Sequence, residues 1–349
     1  MRIALIASVR HGLRAPHAGG LERHTADLSR ALRDQGHEVA VYASGDSDPE
    51  LRVTPICPSA TRLDFSDAAR GDVSMLSDRF MDEHHAYLSL MLSLADADVD
   101  VVHDNSLHYL PVAMARTLRA PVVKVLHTPP TPWLESAIAH RDRSTVLVSV
   151  SHANAATWST PVDAVIHNGI DLDRFLPGAG GDGTAVWVGR LVPEKAPHEA
   201  LRAARLADLD LAVVGPAPDA DYFAREVRPL LDDRRTWLGH LDGDAIIARL
   251  QAADVAVVTP AWDEPFGLVV TEALACGVPV AGYARGALPE IVTPDCGVLV
   301  PPGDLPGLAR ALRQAMALDR SACRRRAEAL GSIDRMARSY LQVYEAALT

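Results

Sequence analysis

The stretch Glu264-Pro265-Phe266-Gly267-Leu268-Val269-Val270-Thr271-Glu272 sets two carboxylates around an expected helix start. An apolar, strand-like run at residues 255–259 precedes it. Pro265 suits the first helical position, so the amides of Phe266, Gly267 and Leu268 are expected to lack intrahelical acceptors. Free N–H groups at the positive end of a helix dipole make a seat for phosphate or sugar oxygens. Glu264 stands at the mouth of that seat, and Glu272 is expected about two turns deeper, at ~3.6 residues per turn. Two carboxylates spaced in this way accept hydrogen bonds from a polyhydroxylated ligand.

The complement lies upstream, where Gly189-Arg190-Leu191-Val192-Pro193-Glu194-Lys195 follows a second strand-like run at 185–188. Cations at a helix start oppose the helix dipole, and two of them there are better explained by an anion bound between them than by surface charge. Arginine dominates the basic residues; the only lysines are Lys124 and Lys195. A compact, mobile ammonium at position 195 is therefore a specific choice. One motif takes hydroxyls and the other takes anions, and together they point to a sugar nucleotide.

Other candidates are less specific. Gly19-Gly20-Leu21-Glu22 would let backbone approach a ligand at the carboxyl edge of a sheet, although alone it reads as a glycine turn into a helix. Arg10, His11, Arg14 and His17 in the preceding loop read as solvated charges, with an acceptor anion as the alternative. His127, opening His127-Thr128-Pro129-Pro130 after a buried-looking strand, suits a reacting hydroxyl or hydroxymethyl group and a structural hydrogen bond equally. Asp-x-Asp pairs at 98/100, 171/173, 219/221 and 242/244 could hold Mg²⁺ on a diphosphate, but none ends a strand beside the candidate site, so no metal site is expected. The motifs of zinc proteases and of α/β-hydrolase serine nucleophiles do not occur.

The elements needed to position these residues are legible as alternating apolar runs and helical patterns, which predict βα units around parallel sheets. In the first half, strands are expected at residues 3–9, 39–43, 99–103, 122–127, 145–149 and 164–167. A helix with Leu21, Thr25, Leu28 and Leu32 on one face ends near Gly36, and a long helix is expected over 72–94. The glycine-rich segment 177–183 reads as a flexible linker. Its Gly178-x-Gly180-x-x-Gly183 matches a dinucleotide fingerprint only formally, because it opens a strand and not a helix. A second series follows at 185–188, 211–214, 237–240, 255–259, 280–283 and 298–300, then helices from Asp304, from Arg320 and over about 334–348. In the last of these, Tyr340, Val343, Tyr344 and Leu348 would form a buried stripe.

The chain has 349 residues, enough for two domains, and a net charge of −11, which argues against nucleic acid or anionic membrane as partners. No apolar run reaches the ~20 residues of a membrane span, and residues 3–7 are too short for a signal peptide. Cys57, Cys276, Cys296 and Cys323 show no metal spacing, so reduced thiols and a cytoplasmic location are expected.

The order and spacing of these pieces resemble the retaining glycosyltransferases of family GT4 nearly end to end. The matching pieces are Gly19-Gly20, His127, Asn168-Gly169-Ile170-Asp171, Gly189-Arg190-Leu191 with Glu194-Lys195, Glu264-x7-Glu272 and Gly286-Ala287-Leu288-Pro289-Glu290. The segment Arg285-Gly286-Ala287 departs from the pattern, since many relatives carry a second glycine there.

The resemblance implies the α/β GT-B fold, two doubly wound Rossmann-like parallel-sheet domains facing across a cleft. An N-terminal acceptor domain would span residues 1–170, and a donor domain 171–331. A C-terminal helix, 332–349, would cross back to the N-terminal domain. It implies that Arg190 and Lys195 hold the donor diphosphate beside Gly189, and that Glu272 takes the ribose. Glu264 and the amides of Phe266, Gly267, Leu268 and Val269 would hold the donor sugar. Gly20 would meet the phosphate and His127 would lie near the reacting sugar. No cofactor or metal is implied beyond the sugar nucleotide, with UDP the commonest donor nucleotide of the family. The long helix carries Asp78, Asp82 and Glu83 against Arg79, unlike a basic membrane face, so a soluble small-molecule or saccharide acceptor is expected. The competing functions are a sugar-nucleotide 2-epimerase or hydrolase on the same fold, which needs no acceptor, and a non-catalytic sugar-nucleotide-binding protein.

Overall fold

Short runs such as Val122–Leu126 are buried at every position and apolar at all but Lys124, the pattern of strands covered on both faces, and they form the middle of parallel sheets. The computed structural model describes residues 1–57, 66–70 and 77–349. Its chain divides into two units. The first comprises Met1–Val150, Ala155–Ile166 and Asp334–Thr349; the second comprises Ser151–Asn154 and His167–Ile333.

Among its described residues the first unit holds seven strands: β1 (Arg2–Ile6), β2 (Glu38–Ser44), β3 (Thr54–Cys57), β4 (Val101–Asp104), β5 (Val122–Leu126), β6 (Thr145–Ser149) and β7 (Ala164–Val165). They lie parallel in the order β3-β2-β1-β4-β5-β6-β7. The second unit holds β8 (Thr184–Val188), β9 (Asp210–Val214), β10 (Arg235–Trp237), β11 (Val255–Val258), β12 (Val280–Tyr283) and β13 (Gly297–Val300). These are also parallel, ordered β10-β9-β8-β11-β12-β13. Both are doubly wound, and in each the order reverses at one point: between β1 and β4, and between β8 and β11. Ligands of open α/β sheets bind outside the carboxyl ends of the strands at that reversal. The two Rossmann-like sheets are those of the GT-B fold.

Several expectations are corrected. Strand β1 stops at Ile6 rather than at residue 9, β10 lies at Arg235–Trp237 rather than at 237–240, and β3 has no counterpart in the expected series. The long helix begins at Asp78, where the Ser77 hydroxyl accepts the Phe80 amide; residues 72–76 of the expected span lie outside the described residues. The glycine-rich segment is pinned rather than flexible. The Gly178 amide donates to Cys276, that of Gly180 to Gln251, and those of Gly181 and Gly183 to the Asp254 carboxylate.

The C-terminal helix, Ile333–Ala347, belongs to the first unit from Asp334 onward. Its buried stripe is Met336, Ala337, Tyr340 and Tyr344. Leu348, expected on that stripe, lies past the helix end and is 49% exposed.

Candidate active site

In the second unit, the loops after β8 and β11 meet because these strands are neighbours at the reversal. Thr259 follows β11 and is buried; its hydroxyl accepts from Trp187 Nε1 at 3.2 Å and lies 3.1 and 3.0 Å from the carbonyl oxygens of Lys195 and Ala196. The Ala261 amide donates to Glu194 O at 2.8 Å. These bonds hold the Arg190–Lys195 loop against the segment leading to Glu264.

The side chains follow. Lys195 Nζ forms an ion pair and hydrogen bond with Glu264 Oε2, which also accepts from Trp262 Nε1 at 3.0 Å. The ammonium lies 5.2 Å from the centroid of the Trp262 ring. Arg190, on the same loop, is half-exposed and lies 3.6 Å from Glu194. Gly189 is fixed by its amide donating to Val214 O at 3.0 Å, and a Cβ on the neighbouring Gly215 would fall on the Gly189 carbonyl oxygen.

The helix start differs from expectation. Gly267, at φ 89°, turns the chain as the N-cap, and the helix runs Leu268–Ala275. Pro265 therefore lies upstream of the helix, and its carbonyl accepts from the Ser151 hydroxyl at 2.6 Å. The amides of Leu268 and Val269 occupy the first turn and have no intrahelical acceptor, whereas Val270 N donates to Gly267 O at 2.9 Å. Glu272 is buried and stands one turn, not two, below the helix start. Phe266 turns inward, its ring 5.6 Å from that of His167. Gly286, at φ 58°, passes so close to Glu264 that a Cβ there would strike its backbone N and O.

In the first unit, Gly20 opens the helix Gly20–Asp34, with Gly19 as its N-cap, after β1. His127 directly follows β5, next to β4. Its Nε2 lies 2.7 Å from Asn105 Oδ1, and its ring meets that of His24 edge-on at 5.0 Å. Burial pushes His127 well below its ordinary value and His24 down to about 4, so both are neutral at pH 7. Lys124, the other lysine, is fully buried with Asp104 at 2.9 Å and serves the sheet. Arg10 and Arg14 are exposed and pair with Glu83 and Asp46.

Residues 171–330 match the family described as Glycosyl transferases group 1, and residues 18–174 match Glycosyltransferase Family 4. This chain is a GT-B glycosyltransferase related to family GT4. The glycosyltransferase is 29% identical over 355 residues to the glycogen synthase of Mycobacterium tuberculosis, covering 89% of this chain and 85% of that one. It is 28% identical over 331 residues to the phosphatidyl-myo-inositol mannosyltransferase of Mycolicibacterium smegmatis, covering 87% and 84%. The crystal structure of Anabaena HepE in complex with UDP and glucose matches it with a TM-score of 0.76 at 19% identity, over 99% of each chain. At that identity the likeness is one of fold. The activity is glycosyl transfer.

Sequence reasoning missed Thr259, Trp262 and Asn105. Each lies in the short stretch between a strand end at the reversal, β11 or β4, and the elements that follow, and that position was the available signal. Among the described residues of the glycosyltransferase, no group of three or more His, Cys, Asp or Glu could hold a metal ion. No helix there is long and apolar enough to cross a membrane.

Proposed function

We propose that the enzyme moves a sugar from a UDP-sugar to a hydroxyl of a soluble small-molecule or saccharide acceptor, with retention of configuration and without a metal. The observation that carries this reading is the meeting of Lys195 with Glu264 at the β8/β11 reversal, with Arg190 on the same loop. A diphosphate bound there draws Lys195 and Arg190, while Glu264 and the first-turn amides of Leu268 and Val269 take sugar oxygens. Glu272, one turn below, takes the ribose.

The chemistry follows from the charges. The donor's glycosidic C–O bond breaks and its electron pair goes to the diphosphate, so cations at that leaving group stabilise the transition state more than the ground state. The acceptor hydroxyl attacks from the same face, its proton passes to a leaving-phosphate oxygen, and the new C–O bond keeps the anomeric configuration. Arg190 and Lys195 supply the neutralisation that a divalent ion supplies elsewhere. UDP as the donor nucleotide is supported by its presence in the complex of HepE. A soluble acceptor is supported by the helix Asp78–Leu94, whose first turns carry Asp78, Asp82 and Glu83 against Arg79.

Thermal-shift screening against nucleoside diphosphates and sugar nucleotides tests the reading, followed by turnover of the stabilising donor with and without acceptors. Stabilisation by UDP and acceptor-dependent UDP release are expected. Conversion of the donor to an epimer without acceptor would refute transfer.

A further inference from the structure

The helix Ile333–Ala347 delivers Tyr344, fully buried, to His103 on β4, 241 residues away. This contact is the outer end of a hydrogen-bond chain that runs to His127. Thr25 fits one direction of the chain, and would fit the reverse only by giving its proton to Asn105 in place of Leu21. Its hydroxyl donates to Leu21 O at 2.9 Å, so its oxygen accepts from Asn105 Nδ2 at 3.3 Å. The Asn105 amide is thereby oriented with Oδ1 toward two imidazoles, His103 Nε2 at 3.0 Å and His127 Nε2 at 2.7 Å. An amide oxygen only accepts, so both histidines must donate there. Burial holds His103 at about 3 and His127 well below its ordinary value, so each carries one proton, and the bond to Asn105 uses it. His103 Nδ1 is then a bare acceptor, matched by the Tyr344 hydroxyl at 2.7 Å.

The reverse arrangement is self-consistent only as far as Tyr344. With Asn105 turned over, its NH₂ would face both imidazoles, and His103 Nδ1–H would donate to the Tyr344 oxygen. The phenolic proton would then have no acceptor among the described residues, inside a fully buried site. A buried hydroxyl without an acceptor is disfavoured, so Tyr344 selects the first arrangement.

We propose that Tyr344, acting through His103 and Asn105, holds His127 in the tautomer protonated on Nε2, leaving Nδ1 as a permanent acceptor for a substrate hydroxyl at the carboxyl end of β5. Tyr344, His103 and Asn105 are positioning residues. The nearest ring, His24, is neutral with both nitrogens unpartnered, so it does not compete as a charge. The bare Nδ1 favours a substrate that presents a hydroxyl there and disfavours one that presents a carboxylate. This use of Nδ1 rests on the proposed function; the tautomer itself does not.

The test is long-range ¹H–¹⁵N correlation on the full chain labelled with ¹⁵N-histidine, without ligand, with His127 assigned by its loss in His127→Gln. The wild type should show His127 wholly as the Nε2–H form. Tyr344→Phe should add an Nδ1–H population and lower kcat by roughly tenfold, the effect of losing one buried hydrogen bond, with nucleoside diphosphate affinity unchanged. An Nδ1–H wild type overturns the proposal, as does a Tyr344→Phe enzyme with wild-type His127 signals and kcat. Should Tyr344→Phe not fold, the wild-type spectrum still decides the tautomer. A correct tautomer in a protein that turns over no sugar nucleotide would refute the functional reading and leave the relay standing.

Discussion

Lys195 and Glu264, 69 residues apart in the chain, are joined in an ion pair because β8 and β11, the strands that deliver them, are neighbours at the reversal of the second sheet. The pair is the resting form of the proposed donor site. Lys195 is held by a carboxylate that a diphosphate would have to compete with or displace.

Glu264→Gln should therefore leave UDP affinity unchanged or raise it, since Lys195 loses its anionic partner, while kcat/KM for the sugar nucleotide falls. Glu272→Gln should weaken UDP itself. Calorimetry with UDP checks the division, and equal losses in both variants would refute it.

Gly286→Ala should reproduce the Glu264 defect without touching the carboxylate. Its φ of 58° disfavours a side chain by ~1–2 kcal/mol, and the added Cβ would push on the Glu264 backbone. A lower melting temperature together with reduced donor turnover is expected. Wild-type turnover would show that Glu264 needs no such support.

How much of this was legible beforehand differs from link to link. Most strands were, β3 excepted, because hydrophobic periodicity and the placement of Gly, Arg, Lys and Glu at strand ends are local properties. The true helix start was not. Pro265 suits a first helical position, but the left-handed turn at Gly267 delays the helix to Leu268, and either residue alone is a plausible punctuation mark. The Tyr344–His103 contact left no local trace, since it is made by packing across 241 residues. Leu348 kept helical spacing with Tyr344 and is exposed because the helix ends at Ala347.

Acid should destabilise the first unit. His24 and His103 are held neutral by burial at about 4 and about 3, whereas in the unfolded chain a histidine takes its proton near ~6.5. Between those values the unfolded state binds more protons, so stability that is complete above ~6.5 is lost as pH falls. At pH 5 each group contributes a loss on the order of 2 kcal/mol. Melting temperature should drop from pH 7 to pH 5, and His24→Phe should make that drop shallower. A melting temperature flat over this range would contradict the burial of these rings.

On the proposed mechanism, in which Arg190 and Lys195 neutralise the leaving group and attack comes from its own face, transfer should persist in EDTA and keep the donor's anomeric configuration. Activity abolished by chelation and restored by Mg²⁺ would remove the first expectation, and an inverted product by NMR the second.

The most direct measurement is acceptor-dependent release of UDP by the wild type, Arg190→Ala and Lys195→Ala, each checked for an unchanged fold by circular dichroism. Loss of a cation aimed at the leaving diphosphate should slow release by ~10²–10³ in each variant. Wild-type release rates in either variant would contradict the assignment of the Arg190–Lys195 loop to the diphosphate.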